Sequence, residues 1–316
     1  MTKFFITGGA GFIGSHLVDE LISNHENSIV VYDDLSSGKR ECIKHHFLKK
    51  NFRFVKGDLL DLKKLKKAAR GSEFVYHLAA NPDIQYGIKN TKTDLEQNTI
   101  ATYNILEAMR LNKIEKIAFA STSAIYGEPK IFPTPEDYGP LLPISLYGAS
   151  KLACESLVTA YCGTFGFQSW ILRFANIIGP RSTHGVIFDF ISKLKKNKNE
   201  LEILGDGNQK KSYLHVYDLI EGMQFAIENS NNSVNVFNLG SDDQIIVKEI
   251  ANILIKEMNL KNVKYNFTGG KRGWPGDVTF MQLAIEKINR LGWRAKHNSR
   301  EAVEKTVSSL INQNAP

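Results

Sequence analysis

Short apolar runs alternate with stretches of helical period along the first half of the chain. Phe4 to Ile6, Ser28 to Tyr32, Phe52 to Lys56, Phe74 to His77, Ile117 to Ala120 and Trp170 to Arg173 are apolar and bounded by polar or glycine positions, as strands are. The stretches at about 61–70, 94–111 and 147–166 repeat their apolar residues every three or four positions and read as helices. Repeated strand–helix units imply an α/β fold, a doubly wound parallel sheet with right-handed crossovers. Ligands of such sheets bind outside the carboxyl ends of the strands. Asp33, Asp58, Ala79, Ala80, Thr122 and Phe174 close or follow strands and should line one crevice. The second half changes character. Helices at about 187–197, 218–228, 247–258 and 300–312 alternate with short strands at 201–204 and 234–239, punctuated by Gly205-Asp-Gly207 and Gly269-Gly270. The expected division is residues 1–176, completed by parts of 212–245, and residues 177–316 as a smaller, mixed α/β lobe for substrate. No linker, repeat or low-complexity tract interrupts the chain.

The first strand leads into glycines at 8, 11 and 14, and then into an amphipathic pattern with Ile13, Leu17, Val18, Leu21 and Ile22 on one face. Strand, glycine turn and helix in that order form a dinucleotide-binding fingerprint. Gly8 permits the tight turn, Gly11 lets backbone approach a pyrophosphate, and Gly14 lets helix and strand pack closely. The helix N-terminus at Phe12 and Ile13 offers N–H groups to phosphate. Asp33 ends the second strand 19 residues after Gly14, near the spacing of the acid that binds a ribose. A carboxylate there repels a 2′-phosphate, so NAD is expected rather than NADP; Arg40 is the one nearby feature pointing the other way.

The totals narrow the class. The chain of 316 residues is 42% hydrophobic and 23% charged, ordinary for a globular protein with one large or two modest domains. No apolar run is long enough for a bilayer, and a strand beginning at residue 3 leaves no room for a leader, so a cytoplasmic protein without a membrane partner is expected. Cys42, Cys154 and Cys162 lack disulfide or metal spacing and read as reduced thiols; no metal is expected. The net charge of +7 comes from scattered lysines such as Lys63, Lys64, Lys66 and Lys67. That pattern fits a solvated surface with a bias toward small anions, and no nucleic-acid partner.

Tyr147-Gly-Ala-Ser-Lys151 opens a helix, and positions i and i+4 share a face. An ammonium beside a phenol favours phenolate and is expected to lower its pKa toward the range of a general base. Thr122 and Ser123 add hydroxyl donors after the fifth strand. Donor, acid/base and cation around a nicotinamide form a site for hydride transfer at alcohols and ketones.

The chain resembles the extended short-chain dehydrogenase/reductases, within the NAD-dependent sugar-nucleotide epimerase/dehydratase family, and most closely the UDP-glucose 4-epimerases. The resemblance rests on Thr7-Gly-Gly-Ala-Gly-Phe-Ile-Gly14, Asp33-Asp-Leu-Ser-Ser-Gly38, Gly57-Asp58, His77-Leu-Ala-Ala80, Ser121-Thr-Ser-Ala-Ile-Tyr-Gly127, Tyr147-Gly-Ala-Ser-Lys151, Arg173-Phe-Ala-Asn176, Gly179-Pro-Arg181 and Gly276-Asp277. It implies a Rossmann sheet and a homodimer formed through the helices near 94–111 and 147–166. It also implies bound NAD. Asp58 and Leu59 would hold adenine, and Asp33 would hold the ribose with Leu35, Ser36, Ser37 and Gly38. Leu78, Ala79, Ala80, Asn98, Ala120 and Phe174 would complete the cofactor pocket with Tyr147 and Lys151. Asn176, Lys211 (usually arginine in the family), Arg272 and Asp277 would hold the sugar diphosphate, and Met281 would close the pocket around C2 of the sugar. Dehydratases of the family carry Asp-Glu after the hydroxyl residue; Ser123 and Ala124 stand there instead, so the resemblance implies C4 epimerisation of UDP-glucose and UDP-galactose, with a UDP-N-acetylhexosamine or UDP-glucuronate as the alternatives.

Overall fold

The structure is a computed structural model and describes residues 2–270, 278 and 280–312. Two compact units share the chain. The first comprises residues 1–125, 142–173 and 223–237, and the second residues 126–141, 174–222 and 238–316.

The first unit is built on a parallel sheet. Its strands are β1 (Lys3–Thr7), β2 (Ser28–Asp33), β3 (Phe52–Lys56), β4 (Phe74–His77), β5 (Lys116–Thr122) and β6 (Gln168–Phe174), and the strand Val234–Leu239 adds a seventh. Their order across the sheet is Val234–Leu239, β6, β5, β4, β1, β2, β3. The register pairs Phe5 with Val30 and Val75, and Val75 with Ile117. These are buried residues of one core, which Leu65, Ile105, Leu106, Met109 and Val158 of the covering helices complete. Strands covered on both faces read as continuous apolar runs, which is why the inner strands stand out in the sequence.

Local chemistry sets the helix ends. Asp61 caps Leu62–Ala69 by accepting from the Lys64 N–H at 3.0 Å, and the exposed lysines leave Leu65, Ala68 and Ala69 to the core. Ser145 caps Leu146–Phe165 by accepting from the Gly148 N–H, and Gly166, at φ +73°, ends that helix. Such caps contribute about 1 kcal/mol each. The stretch expected as one helix at 94–111 is composite: the turn Lys92–Asp94, a π-helix over Leu95–Ile100, and an α-helix over Ala101–Asn112. Single π-turns inside helices are common at functional positions.

The second unit has its own core of Ile187, Phe190, Leu194, Leu201, Ile250, Leu254, Val303 and Val307. Helices Val186–Lys196, Val247–Glu257 and Ser299–Asn312 carry it. Its strands are brief. Asn176–Ile178 pairs in parallel with Tyr213–His215, and Glu200–Ile203 with Lys264–Phe267. Lys210–Lys211 lies between Ile245–Ile246 and Phe280–Met281. No helix among the described residues is long and apolar enough to cross a membrane.

Candidate active site

The carboxyl edge of the sheet carries the first cluster. Gly8 takes φ +70°, and a Cβ on it would lie 2.7 Å from the Ala79 nitrogen, so only glycine fits between the first turn and the chain leaving β4. A Cβ on Gly14 would collide with the Gly8 carbonyl, the close packing its spacing implied. Helix Phe12–Leu21 begins after Gly11 with no side-chain cap, which leaves its first N–H groups to an anion. Asp33 is buried at the end of β2. It accepts from the Ala10 N–H at 3.0 Å and the Leu35 N–H at 2.8 Å, and burial pushes its pKa up against those bonds. Each oxygen keeps a lone pair for a ribose hydroxyl. Leu35 holds φ +65°, an uncommon conformation for a bulky residue that aims its N–H at Asp33. A Cβ on Gly38 would come within 2.9 Å of the Asp33 carboxylate. The open turn, the uncapped helix and the buried acid fit a dinucleotide.

The remaining cofactor candidates flank these. Ser36 turns its N–H and hydroxyl to Asp34, and Ser37 is exposed. Asp58 is exposed and accepts from the Leu60 N–H, while Leu59 beside it is buried. Leu78, Ala79 and Ala80 follow β4 half-buried, and Thr7 accepts from the Ala79 N–H. Phe174 closes β6. Arg40 lies over the Phe47 ring at 4.8 Å, a cation–π contact that occupies it.

The second cluster joins β5 to helix Leu146–Phe165. Thr122 ends β5, Ser123 opens a single turn to Tyr126, and Tyr147 lies in the first turn of the helix. The Thr122 side chain lies beside the Tyr147 phenol and works to lower its pKa. Lys151 is buried; its Nζ donates to the Ala120 carbonyl at 2.9 Å and lies 4.8 Å from the Phe119 ring centroid. The expected lowering of the phenol's pKa by Lys151 is not what this arrangement produces. Burial first, and the Asp94 carboxylate after it, push Tyr147 up to about 12, with Thr122 opposing. Burial also pushes Lys151 down, against the pull of Cys154, Glu155 and Asp94. The lysine's charge is turned toward a backbone carbonyl, so helical spacing alone overstated its hold on the phenol.

Behind this pair lie Asn98, named above as a cofactor-pocket candidate, and several groups that the sequence reading missed. Asn98 lies in the π-turn, accepts from the Asn81 N–H at 2.8 Å and donates to Ser150 at 2.8 Å and Asp94 at 3.2 Å. Both amide hydrogens are thereby engaged. Asp94 is buried, and its Oδ2 has no partner among the described residues. His77 bridges Thr7 and Thr102 at 2.7 and 3.0 Å, and Thr102 continues to Cys154 at 3.2 Å. Burial first, then the Lys151 charge, pushes His77 down to about 3, so this imidazole is neutral. Glu155 takes a two-point ion pair from Arg173, at 3.0 and 2.8 Å, and the Ser121 hydroxyl. Lys151 and Glu155 stand four apart on one helix, a signal the sequence offered; the link to Arg173 has none.

The sugar-nucleotide candidates belong to the second unit. Asn176 donates to the Ser212 carbonyl at 3.0 Å. Lys211 and Met281 are register partners on adjacent strands, and Met281 is buried. Arg272 and Asp277 lie outside the described residues.

Residues 4–240 match the NAD dependent epimerase/dehydratase family. A putative UDP-glucose 4-epimerase of Methanocaldococcus jannaschii is 33% identical over 315 residues, 98% of each chain. A crystal structure of a UDP-galactose 4-epimerase superposes with a TM-score of 0.87 at 37% identity, over 99% of this chain and 100% of that one. The UDP-glucuronic acid 4-epimerase of Bacillus cereus, in complex with UDP-glucuronic acid and NAD, superposes with a TM-score of 0.90 at 29% identity, over 99% and 100% of the two chains. With the glycine turn, the buried Asp33 and the Thr122–Tyr147 pair in place, the chain belongs to the NAD-dependent epimerase/dehydratase family.

Proposed function

We propose that this enzyme interconverts the C4 epimers of a UDP-hexose, UDP-glucose and UDP-galactose, through a transient 4-keto sugar. The observation that carries the reading is the Thr122 side chain beside the Tyr147 phenol at the end of β5, with Ser123 and Ala124 in the next two positions. One acid/base and one hydroxyl donor suffice to oxidise and reduce an alcohol at a single carbon. Dehydration needs further groups to remove a proton and expel water, and a serine and an alanine cannot supply them.

Gly8–Gly14 and Asp33 would hold NAD, which would supply a hydride acceptor and donor for C4 of the sugar. Tyr147 takes the O4 proton and gives it back. Thr122 donates to the developing ketone oxygen, with Ser123 assisting. A phenol near 12 serves as base only when positive charge is brought beside it; Lys151, one helical turn away, would have to turn from the Ala120 carbonyl to supply it. Asn176 and Lys211, with Arg272 and Asp277, would hold the diphosphate while the sugar turns. Met281, slim and unbranched, favours a second reading in which UDP-N-acetylglucosamine is also accepted. A homodimer is expected; exposed Leu95, Ile100, Tyr103 and Leu111 along the 95–112 stretch support it.

The test mixes purified protein with UDP-glucose, UDP-galactose, their N-acetyl forms and UDP-glucuronate, without added cofactor. The expected product is the C4 epimer of at least the hexose pair. Loss of water or carbon dioxide from the sugar, with no epimer formed, overturns the proposal.

A further inference from the structure

Asp19, His45 and His46 are not among the residues assigned to cofactor or sugar. Asp19 sits in the last turns of helix Phe12–Leu21, and the histidines on the single turn Lys44–His46. Both imidazole Nε2 atoms converge on one oxygen, Asp19 Oδ1, at 2.8 and 2.6 Å. One ligand atom from each of the three residues lies within 4.8 Å of the others. The two rings pack with centroids 3.9 Å apart, and His46 is wedged against Phe52 at 5.6 Å. The cluster therefore has a fixed wall, His46 at 4% exposure, and two members open to water, Asp19 at 30% and His45 at 48%.

We propose that Asp19, His45 and His46 form a binding site for a divalent transition metal, with Zn(II) or Co(II) held by two imidazole nitrogens and one carboxylate oxygen, and water in the open position. Two nitrogens and one oxygen suit zinc, cobalt or nickel, whereas magnesium and calcium prefer all-oxygen sites. Bonds of about 2.1 Å in a tetrahedron set ligand atoms roughly 3.4 Å apart. The two nitrogen–oxygen separations, 2.8 and 2.6 Å, are shorter by more than half an ångström, so the ligands must move apart, and the part-exposed Asp19 and His45 have the freedom to do so.

The same geometry limits the affinity. Each Nε2 now faces the carboxylate as a donor. To bind metal, a neutral ring must carry its proton on Nδ1 instead. His46 Nδ1 is buried with no partner among the described residues, so that N–H goes unsatisfied. An orphaned buried donor lowers affinity by roughly 10- to 100-fold. The Lys49 charge also faces His46 and repels a cation. The outcome is a weak, exchangeable site rather than a permanent structural ion. Its occupancy would join the end of the first helix to the segment that follows the Asp33–Gly38 loop.

The experiment uses the full chain without a purification tag, stripped with EDTA and dialysed. Calorimetry with Zn(II) should give one ion per chain and a higher thermal midpoint, since a ligand of the folded state alone stabilises it. Co(II) should give the visible bands of a four-coordinate site. His45→Gln should weaken binding at least about tenfold, the scale on which losing a ligand or its outer-shell support reads out. Turnover should be unchanged in that variant. Cys42→Ser should leave binding intact. No binding below about 1 mM, equal binding in His45→Gln, or loss in Cys42→Ser would each overturn the proposal.

Discussion

The two units bury comparable cores but hold their chemistry in different ways. In the first, strands of four to seven residues lie side by side; Asp33, Thr122 and Phe174 sit at strand ends, and Tyr147, Lys151 and Asn98 on the helices that cover them. Asp33, Thr122 and the Gly8 turn are placed by elements that span the sheet. In the second, Lys211 and Met281 meet on strands of two residues each. A two-residue strand has little register of its own and is held by what packs around it. The difference separates tasks. Residues on the long sheet are fixed enough for bond-making, and residues on short strands can change without disturbing the core. Substitutions in the first unit should therefore alter every substrate alike, and substitutions in the second should alter the ratio between substrates.

The largest effect expected under that division is Tyr147→Phe. The fold and the bound NAD should persist, because Thr122 is the one group whose side chain works to lower the phenol's pKa. Turnover should fall by more than the roughly 10²-fold typical of one general base, equally on all UDP-sugars. Near-normal rates on any sugar would break both the mechanism and the division of labour. Asp33→Asn should act next. Losing a charged acceptor costs about tenfold or more in NAD retention, again without regard to the sugar. Cofactor released by denaturing the parent protein should be NAD; finding NADP would overturn the role given to Asp33.

The sequence made the first unit legible because its signals are local. A glycine triplet, a buried apolar run or a Tyr–Lys pair four apart each lies within one element. The π-turn at Leu95–Ile100 was not legible, since its residues have ordinary helical character and the extra residue per turn shows only in the backbone. Nor were the partners of buried polar groups. His77 meets Thr7 and Thr102, which are 70 and 25 residues away, and Glu155 meets Arg173 on another element. The direction of the Tyr147 shift was misread for the same reason. Spacing placed a cation one turn away, but desolvation and Asp94 are contributed by the rest of the fold. In the second unit, strands such as Asn176–Ile178 and Ile245–Ile246 are too short to carry a period at all.

His77 offers a test of how far the first unit's rigidity depends on a neutral group. Its pKa is held at about 3 in the folded chain and returns to about 6.5 on unfolding. Between those values the unfolded state binds the extra proton, so stability is complete above about 6.5 and falls as the pH drops toward 3. The slope from this residue is about 1.4 kcal/mol per pH unit. His77→Gln keeps hydrogen-bonding capacity and removes the titration. Denaturant unfolding at pH 7, 6, 5 and 4 should show a shallower acid loss in the variant by about one proton's worth. Identical slopes would mean that His77 is protonated in the fold or reached by water. Either result speaks to the first unit only, and the relative rates on different sugars should not move.

The smallest effect is expected at Met281, and it sharpens the comparison most. Met281 is buried on a strand whose neighbour carries Lys211, so a change there alters the surroundings of a candidate diphosphate ligand and, under its proposed role, the space for the sugar. Methionine is unbranched and adapts to a bulky neighbour, whereas tyrosine is rigid and fills the same place. Met281→Tyr should therefore lower turnover of UDP-N-acetylglucosamine relative to UDP-glucose by about tenfold, the low end of what one misfitting group costs in a pocket. The hexose pair should stay within about twofold of the parent, because no group that handles the proton or the hydride has been touched. The measurement is kcat/KM on both sugars for parent and variant. Equal losses on both would place the effect on Lys211 or on the core of the second unit. A parent protein with no activity on the N-acetyl sugar would remove Met281 from the role altogether, and sugar size would then be set elsewhere in the chain.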